Sequence, residues 1–207
     1  MAIRRTNEER TAQTRERILE ATVSCLIQHG YTKTSTTMIS SLAGVSRGAQ
    51  LHHFPNKAEL MSAAIEHVIV LRTEEVKTHF GSLDSAADPV SVFIDILWKQ
   101  LQTGVFYAWL ELVVAARCDD ALRAKLMEVS QRFDRDVTNF IQEAFGLSSE
   151  LAQKIRLAGQ VIFATVEGLS TSKIIYQEER DDAEILRLLK ETIKNALIPF
   201  FQEENKV

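Results

Sequence analysis

The sequence predicts an all-α protein, and three observations support this fold class. The 207 residues include only 8 glycines and 3 prolines, so few residues interrupt regular structure. Apolar residues recur at the i, i+3 and i+4 spacing of amphipathic helices, and no alternating strand pattern of useful length appears. The composition, 45% apolar and 25% charged, is that of a globular protein that buries a core without disulfide or metal support. About nine helices are expected.

Glycines delimit the first two predicted helices. The first helix covers residues 7–29 after a basic arm and ends at Gly30, a residue type that favours the position after a helix. The second follows four consecutive hydroxyl residues, which are good N-caps, and spans residues 38–43 before a break at Gly44. It is only about two turns long.

The third and fourth helices follow without a linker. Ser46 is a suitable N-cap for a short helix over residues 47–53, which must stop near Pro55 because the residue before a proline is pushed out of helical geometry. An Asn-to-Glu capping box that begins at Asn56 then opens a long fourth helix, which reaches about residue 80.

Five further helices are expected in the C-terminal part of the chain. They are separated by loop signals at residues 81–88, Gly104, Gly146 and residues 178–182. The fifth helix runs from Pro89, after an Asp88 cap, to about Thr103, the sixth ends at about Arg117, and the seventh covers residues 120–145. The eighth runs from a Ser148 or Ser149 cap to about Tyr176, and the ninth ends at Ile198, where Pro199 closes it.

The second and third helices match the helix-turn-helix plan, in which the second helix of the pair enters the DNA major groove. Ile39, Leu42 and Val45 would hold the pair together, and Gly44 tolerates the turn. Residues 46–49 form the first turn of the third helix, whose free N–H groups and positive helix end favour phosphate. Gln50 has two open interpretations: it reads adenine if it points outward, or it packs in the core.

Residues 34–60, TSTTMISSLAGVSRGAQLHHFPNKAEL, resemble the DNA-binding signature of the tetracycline-repressor (TetR/AcrR) family, and residues 15–31 resemble the first helix of that family. The resemblance covers about a quarter of the chain. It departs from the family at Leu51, where many members have a phosphate-contacting Tyr, at Ser40, a common Ala, and at Gln50, a commonly aliphatic position. Together with Ser46 from the first helical turn, the DNA contacts that the resemblance implies are Thr36, Thr37, Arg47, Gly48, Ala49, Leu51, His52, His53 and Lys57.

The resemblance implies a homodimeric transcriptional regulator, usually a repressor, whose C-terminal helices bind a small-molecule inducer. The expected division is a DNA-binding domain over residues 1–56, with the helix-turn-helix motif at about 35–54, and a ligand-binding and dimerisation domain over residues 57–207. Apolar stripes on the eighth and ninth helices support dimerisation through these two helices, and core packing within one chain is the alternative.

Aromatic residues concentrate in the fifth, sixth and eighth helices and could line a ligand site. We expect a mainly apolar or aromatic inducer with one polar group, because cavities of this kind are the usual small-molecule sites. Glu111 is a further possible polar anchor, and ordinary core packing is the alternative for the aromatic residues. The predicted ligand-site residues are Phe93, Trp98, Phe106, Trp109, Arg117, Phe163 and Glu167.

Charge, cysteine content and the absence of known motifs narrow the classes of protein to which the chain can belong. The net charge of −4, taken over the whole chain, argues against DNA binding, but residues 1–60 carry eight basic and five acidic residues, whereas the remainder carries 16 basic and 23 acidic residues. The sequence has two isolated cysteines, no apolar membrane span and no signal peptide. These features predict a soluble cytoplasmic protein. No catalytic, metal or cofactor motif appears, so neither an enzyme nor a cofactor is expected. The alternative function is a helical dimeric protein-interaction module without specific DNA binding.

Overall fold

The computed structural model describes residues 6–81, 88–145, 148–176 and 181–204. Over these residues it contains nine α-helices and no strand, which confirms the all-α prediction. The helices are α1 (Asn7–Lys33), α2 (Thr36–Ala43), α3 (Arg47–His53), α4 (Lys57–Gly81), α5 (Pro89–Gln100), α6 (Gly104–Ala115), α7 (Asp120–Phe145), α8 (Ser149–Tyr176) and α9 (Asp182–Glu204). Within these described ranges, no helix is both long and apolar enough to cross a membrane.

Short polar side chains begin most of the helices where the sequence predicts. The Ser46 Oγ accepts a hydrogen bond from the Ala49 N–H at 3.1 Å, and Asn56 Oδ1 accepts one from Glu59 N–H at 2.9 Å. Ser148, one of the two predicted caps, accepts from Leu151 N–H at 3.2 Å. Each cap satisfies a backbone donor that has no partner inside its helix, and the helix starts are therefore set locally.

Two glycines have positive φ, and both lie where the chain must turn. Gly44 has φ +62° and ψ +38°, the left-handed conformation that ends α2. Gly30 has φ +71° and ψ 172°, a region open essentially to glycine, and it forms a kink within α1. The helix was expected to stop at Gly30; instead a short helical segment continues beyond the kink to Lys33.

Several other expected element ends were wrong. Pro199 lies inside α9, which continues to Glu204. An interior proline removes one helical hydrogen bond and crowds the carbonyl four residues earlier, but its φ is compatible with a helix, and here the helical backbone continues past it. Helices α5 and α6 end two or three residues early, because the chain needs those residues for the turns before the next helix: Thr103 N–H donates to Gln100 O, and Cys118 N–H donates to Ala115 O.

The apolar face of α2 also differs from the expectation. Ile39 is fully buried and Ala43 nearly so, whereas Leu42 is 54% exposed. Ile39 and Ala43 are four residues apart and therefore share one stripe of the helix, while Leu42 lies beside that stripe. The prediction that Leu42 holds α2 against α3 was therefore wrong.

The contacts of the chain divide it into two compact units. The first contains Met1–Leu71 and Gly104–Ser130, so α6 and the start of α7 belong to the same unit as the helix-turn-helix. Its core includes Ile18, Leu26, Ile39, Leu60, Ile65 and Leu112. The second contains Arg72–Thr103 and Gln131–Val207, with a core that includes Ile94, Leu101, Ile162, Val166 and Ile193. The functional boundary at residues 56 and 57 stays a prediction.

Some features expected from the sequence lie wholly or partly outside the described residues. These are Arg4 and Arg5 of the basic arm, most of the loop at residues 81–88, Gly146, and most of the turn at residues 178–182.

Candidate nucleic-acid interface

The first turn of α3 is open to solvent. The backbone of this turn is held by Ser46, whose side chain caps Ala49 N–H and whose carbonyl accepts from the N–H of Gln50 at 3.0 Å. Arg47 and Gly48 follow the cap, and both are exposed. A capped helix N-terminus with an exposed cation and no bulky side chain beside it can approach a phosphate closely.

All ten predicted DNA contacts lie in the first compact unit, on α2, on α3 and its N-cap, or at the start of α4. Leu51 is 42% exposed, so its apolar side chain is accessible to a thymine methyl group in place of the usual Tyr contact. The exposed members of the set are Thr37, Ser46, Arg47, Gly48, Leu51 and His52, and the half-buried members are Thr36, Ala49, His53 and Lys57. Their contact with DNA stays a prediction.

Gln50 packs in the core. Its side chain is 0% exposed, and neither amide atom has a hydrogen-bond partner among the described residues. Of the two interpretations left open by the sequence, the structure supports the buried one. An amide in this position costs free energy, because burial removes its contacts with water and nothing replaces them.

Two arginines of α1 support the motif, a role that no sequence pattern assigns to them. The Arg17 guanidinium donates to the carbonyl of Ala43 and, at 3.3 Å, to that of Gly44, at the end of α2. The Arg15 guanidinium lies 5.4 Å from the centre of the Phe54 ring. Both contacts join residues far apart in sequence, so no local pattern indicates them; only the excess of basic residues hinted at a role for this segment.

Lys57 is held against the end of α1. Its Nζ donates to the carbonyl oxygen of Tyr31 at 3.1 Å and lies 4.6 Å from the centre of the Tyr31 ring. Partial burial lowers the pKa of Lys57 from its usual value. An ammonium group has three N–H donors, so one hydrogen bond to the Tyr31 carbonyl leaves donors for a phosphate.

The two histidines at the end of α3 interact with each other. The rings of His52 and His53 meet edge to face, with their centres 5.6 Å apart. Burial lowers the pKa of His53, and the nearby charges of His52 and Arg15 lower it further. His53 therefore favours the neutral form in the free protein, and an approaching phosphate would favour the protonated form.

The predicted ligand-site residues are divided between the two compact units. Phe106 and Trp109 are buried and Arg117 is exposed in the first unit, while Phe93, Trp98, Phe163 and Glu167 are half-buried in the second. Phe93 packs against the buried Ile96. Whether these residues bind a ligand stays a prediction.

The second unit also contains a buried cation, Arg72, that was not among the predicted site residues. Arg72 on α4 is 7% exposed, and its guanidinium lies 5.6 Å from the Phe133 ring and 5.4 Å from the Phe163 ring. No motif marks Arg72, because its burial depends on α7 and α8, which come much later in the chain. Among the described residues, no group of three or more His, Cys, Asp or Glu could hold a metal ion.

Comparisons with known proteins agree with this geometry. Residues 18–64 match the family model described as bacterial regulatory proteins, tetR family. The chain is 30% identical over 187 residues to the HTH-type transcriptional regulator CymR of Pseudomonas putida. This match covers 89% of this chain and 90% of that protein. It is also 36% identical over 88 residues to the regulator TtgR of the same species, a match that covers 42% of this chain and 39% of that protein.

Solved structures show the same fold. A TetR-family member from Streptomyces coelicolor A3 has a TM-score of 0.65 and 20% identity, and the match covers 88% of this chain and 96% of that one. The fatty acid degradation regulator FadR from Bacillus halodurans has a TM-score of 0.62 and 17% identity, with 92% and 96% covered. The relatives are transcriptional regulators and not enzymes, as the sequence predicts for this chain. The chain belongs to the TetR family of DNA-binding transcriptional regulators.

Proposed function

We propose that this protein is a homodimeric repressor that leaves its operator DNA when a small-molecule inducer binds. One observation carries the proposal: the first turn of α3 is capped by Ser46 and exposes Arg47 and Gly48, the geometry required for close approach to a DNA groove. The net positive charge of residues 1–60 also favours contact with DNA phosphates, whereas phosphates would repel the acidic remainder of the chain. A cytoplasmic location is part of this proposal, because the protein must reach its operator.

Operator binding is tested with fluorescence anisotropy on the DNA upstream of the protein's own gene and of its neighbours. We expect specific binding that weakens steeply with salt, because each phosphate contact releases counterions. The alternative function, a protein-interaction module, predicts no preference for any duplex at any salt concentration. Repression is then tested with a reporter gene behind the bound promoter: expression should fall when the protein is present.

Exposed apolar residues on α8 and α9 support the homodimer. Ile162 and Val166 of the predicted α8 stripe are buried within the chain, as are Leu189, Ile193 and Leu197 on α9, so part of each stripe is intramolecular core. Other apolar side chains remain exposed on the same two helices, among them Leu157 (47%), Val161 (54%) and Leu188 (60%). A second copy of the chain would cover these side chains.

The dimer is tested by sedimentation with a matched pair of variants. Val161→Glu places a charge on the proposed interface, and Met127→Glu places the same charge on an exposed apolar site of α7 that is 58% exposed. We expect the wild type and Met127→Glu to sediment as dimers and Val161→Glu as a monomer. A monomeric wild type would contradict the homodimer.

The inducer proposal follows from the aromatic surroundings of Arg72. A guanidinium among aromatic rings can hold a carboxylate or another acceptor group, while the rings contact an apolar body. We therefore expect Arg72 to supply the one polar anchor of the inducer. A thermal-shift panel of aromatic acids, with alcohols and amines of the same rings, should favour the acids, and Arg72→Met should remove that preference.

Release from DNA would be a shift between two populations. Helix α4 runs from Lys57, in the unit that contains the helix-turn-helix, into the second unit beyond Leu71. An inducer that tilts α4 would move the two recognition helices away from the spacing of about 34 Å that one DNA turn requires. Inducer and operator must then weaken each other's binding by equal factors. Unchanged operator affinity with inducer bound, or an unchanged spacing of the recognition helices, would contradict this mechanism.

A further inference from the structure

A chain of contacts joins α6 to the predicted DNA-binding lysine through a single residue of α1. The Glu111 carboxylate on α6 accepts a hydrogen bond from the Tyr31 N–H at 2.7 Å. The Tyr31 carbonyl in turn accepts one from Lys57 Nζ at 3.1 Å. All three residues belong to the first compact unit. Glu111 is therefore engaged with the backbone of α1, although the sequence suggested it as a ligand anchor.

The backbone of Gly30 makes room for this contact. A Cβ atom at Gly30 would lie 2.8 Å from Glu111 Oε2, closer than real Cβ contacts allow, and the φ of +71° also excludes most side chains. At the start of α6, a Cβ at Gly104 would lie 3.0 Å from the Ile27 side chain. Helices α1 and α6 are thus in close contact at two places, and the Glu111 carboxylate holds the backbone N–H of Tyr31 in a defined position.

We propose that Glu111 is a positioning residue for DNA binding: by holding the Tyr31 backbone it fixes Lys57 in the orientation in which its ammonium reaches a DNA phosphate. This inference rests on the proposed function, and it adds a regulatory contact to it. A displacement of α6 would withdraw the carboxylate from Tyr31 and release Lys57 without any movement of α3. Holding a long, flexible side chain in its binding orientation lowers the entropy that must be lost when DNA binds.

The test measures the affinity of the full-length protein for a duplex selected in vitro with the wild type, over a range of salt concentrations. Glu111→Ala should weaken binding by about fivefold per head at 0.15 M salt and lower the salt slope by about 0.9 per head, the effect of losing one phosphate contact. Glu111→Gln should bind as the wild type does, because its side-chain oxygen still accepts the Tyr31 N–H. Glu20→Gln, at an exposed site of α1, controls for the change in net charge.

A double-mutant cycle with Lys57→Met separates this role from a merely structural one. If Glu111 acts through Lys57, Glu111→Ala causes no further loss of affinity in the Lys57→Met background. If Glu111→Ala does not fold, Glu111→Asp keeps the charge, withdraws the carboxylate by one methylene and should show the same non-additive loss. Additive losses, or wild-type affinity in Glu111→Ala or Glu111→Asp, would overturn the inference. Failure of the wild type to select any duplex would overturn the proposed function itself.

Discussion

Replacing Gln50 by methionine should stabilise the protein. The Gln50 side chain is completely buried, and its amide oxygen and nitrogen have no partner among the described residues. A buried polar group without a partner costs about 1–3 kcal/mol, and methionine has nearly the same shape and volume without that cost. We therefore expect the free energy of unfolding to rise by about 1–3 kcal/mol. For a chain of this length, each kcal/mol raises Tm by about 2–4 °C.

Calorimetry and urea unfolding measure the effect, with Gln28→Met as the matched control. Gln28 is exposed on α1, so the same exchange there should change stability by less than about 0.5 kcal/mol. Operator affinity should be unchanged in Gln50→Met, because the residue does not reach a base. A loss of more than about 1 kcal/mol in the unfolding free energy of Gln50→Met would show that the buried amide is not a cost to stability. A loss of operator affinity by about 1–3 kcal/mol would instead identify Gln50 as a base-reading residue.

Three further predictions concern the same unit. Arg47→Ala should weaken operator binding by about 1–3 kcal/mol if the guanidinium contacts a base, or mainly lower the salt slope if it contacts phosphate; unchanged affinity and slope in an anisotropy titration would remove Arg47 from the interface. Gly30→Ala should destabilise the fold by about 2–4 kcal/mol, because both the positive φ and the nearby Glu111 carboxylate oppose a Cβ atom. As a control, Gly159→Ala should not lower Tm, because a Cβ atom there meets nothing within 4 Å. Because the folded-state pKa of His53 is depressed, its contribution to stability is present above about pH 6.5 and is lost as the pH falls through the lower folded-state pKa. As the pH falls over the same window, operator affinity should rise by at most about tenfold per pH unit and head. His53→Asn should flatten both the stability profile and the affinity profile.

The helices could be predicted from the sequence because their limits are local. Ser46, Asn56 and Ser148 begin their helices with side-chain caps, and Gly44 ends α2 with a positive φ. These signals act over three or four residues, so a single sequence contains them completely. The end of α9 was predicted wrongly because proline disfavours a helix without always ending it. Whether a helix continues past a proline depends on packing, which the residue type alone does not determine.

The site could be predicted only as far as local motifs reach. The exposed first turn of α3 follows from Ser46 and the residues after it, and the burial of Gln50 was one of two interpretations that remained open. The contacts from Glu111 to Tyr31 and from Tyr31 to Lys57 span 80 and 26 positions along the chain. Contacts over such separations depend on how helices pack, which residue spacing within one element does not determine.

Operator binding by the full-length protein is the most direct test of the whole account. The measurement is fluorescence anisotropy with duplexes from the DNA beside its own gene, against unrelated duplexes of the same length, from 50 to 300 mM salt. We expect one duplex to bind at least about 1,000-fold more tightly than the unrelated ones, with an affinity that falls steeply as salt increases. Equal affinity for all duplexes at every salt concentration would contradict it.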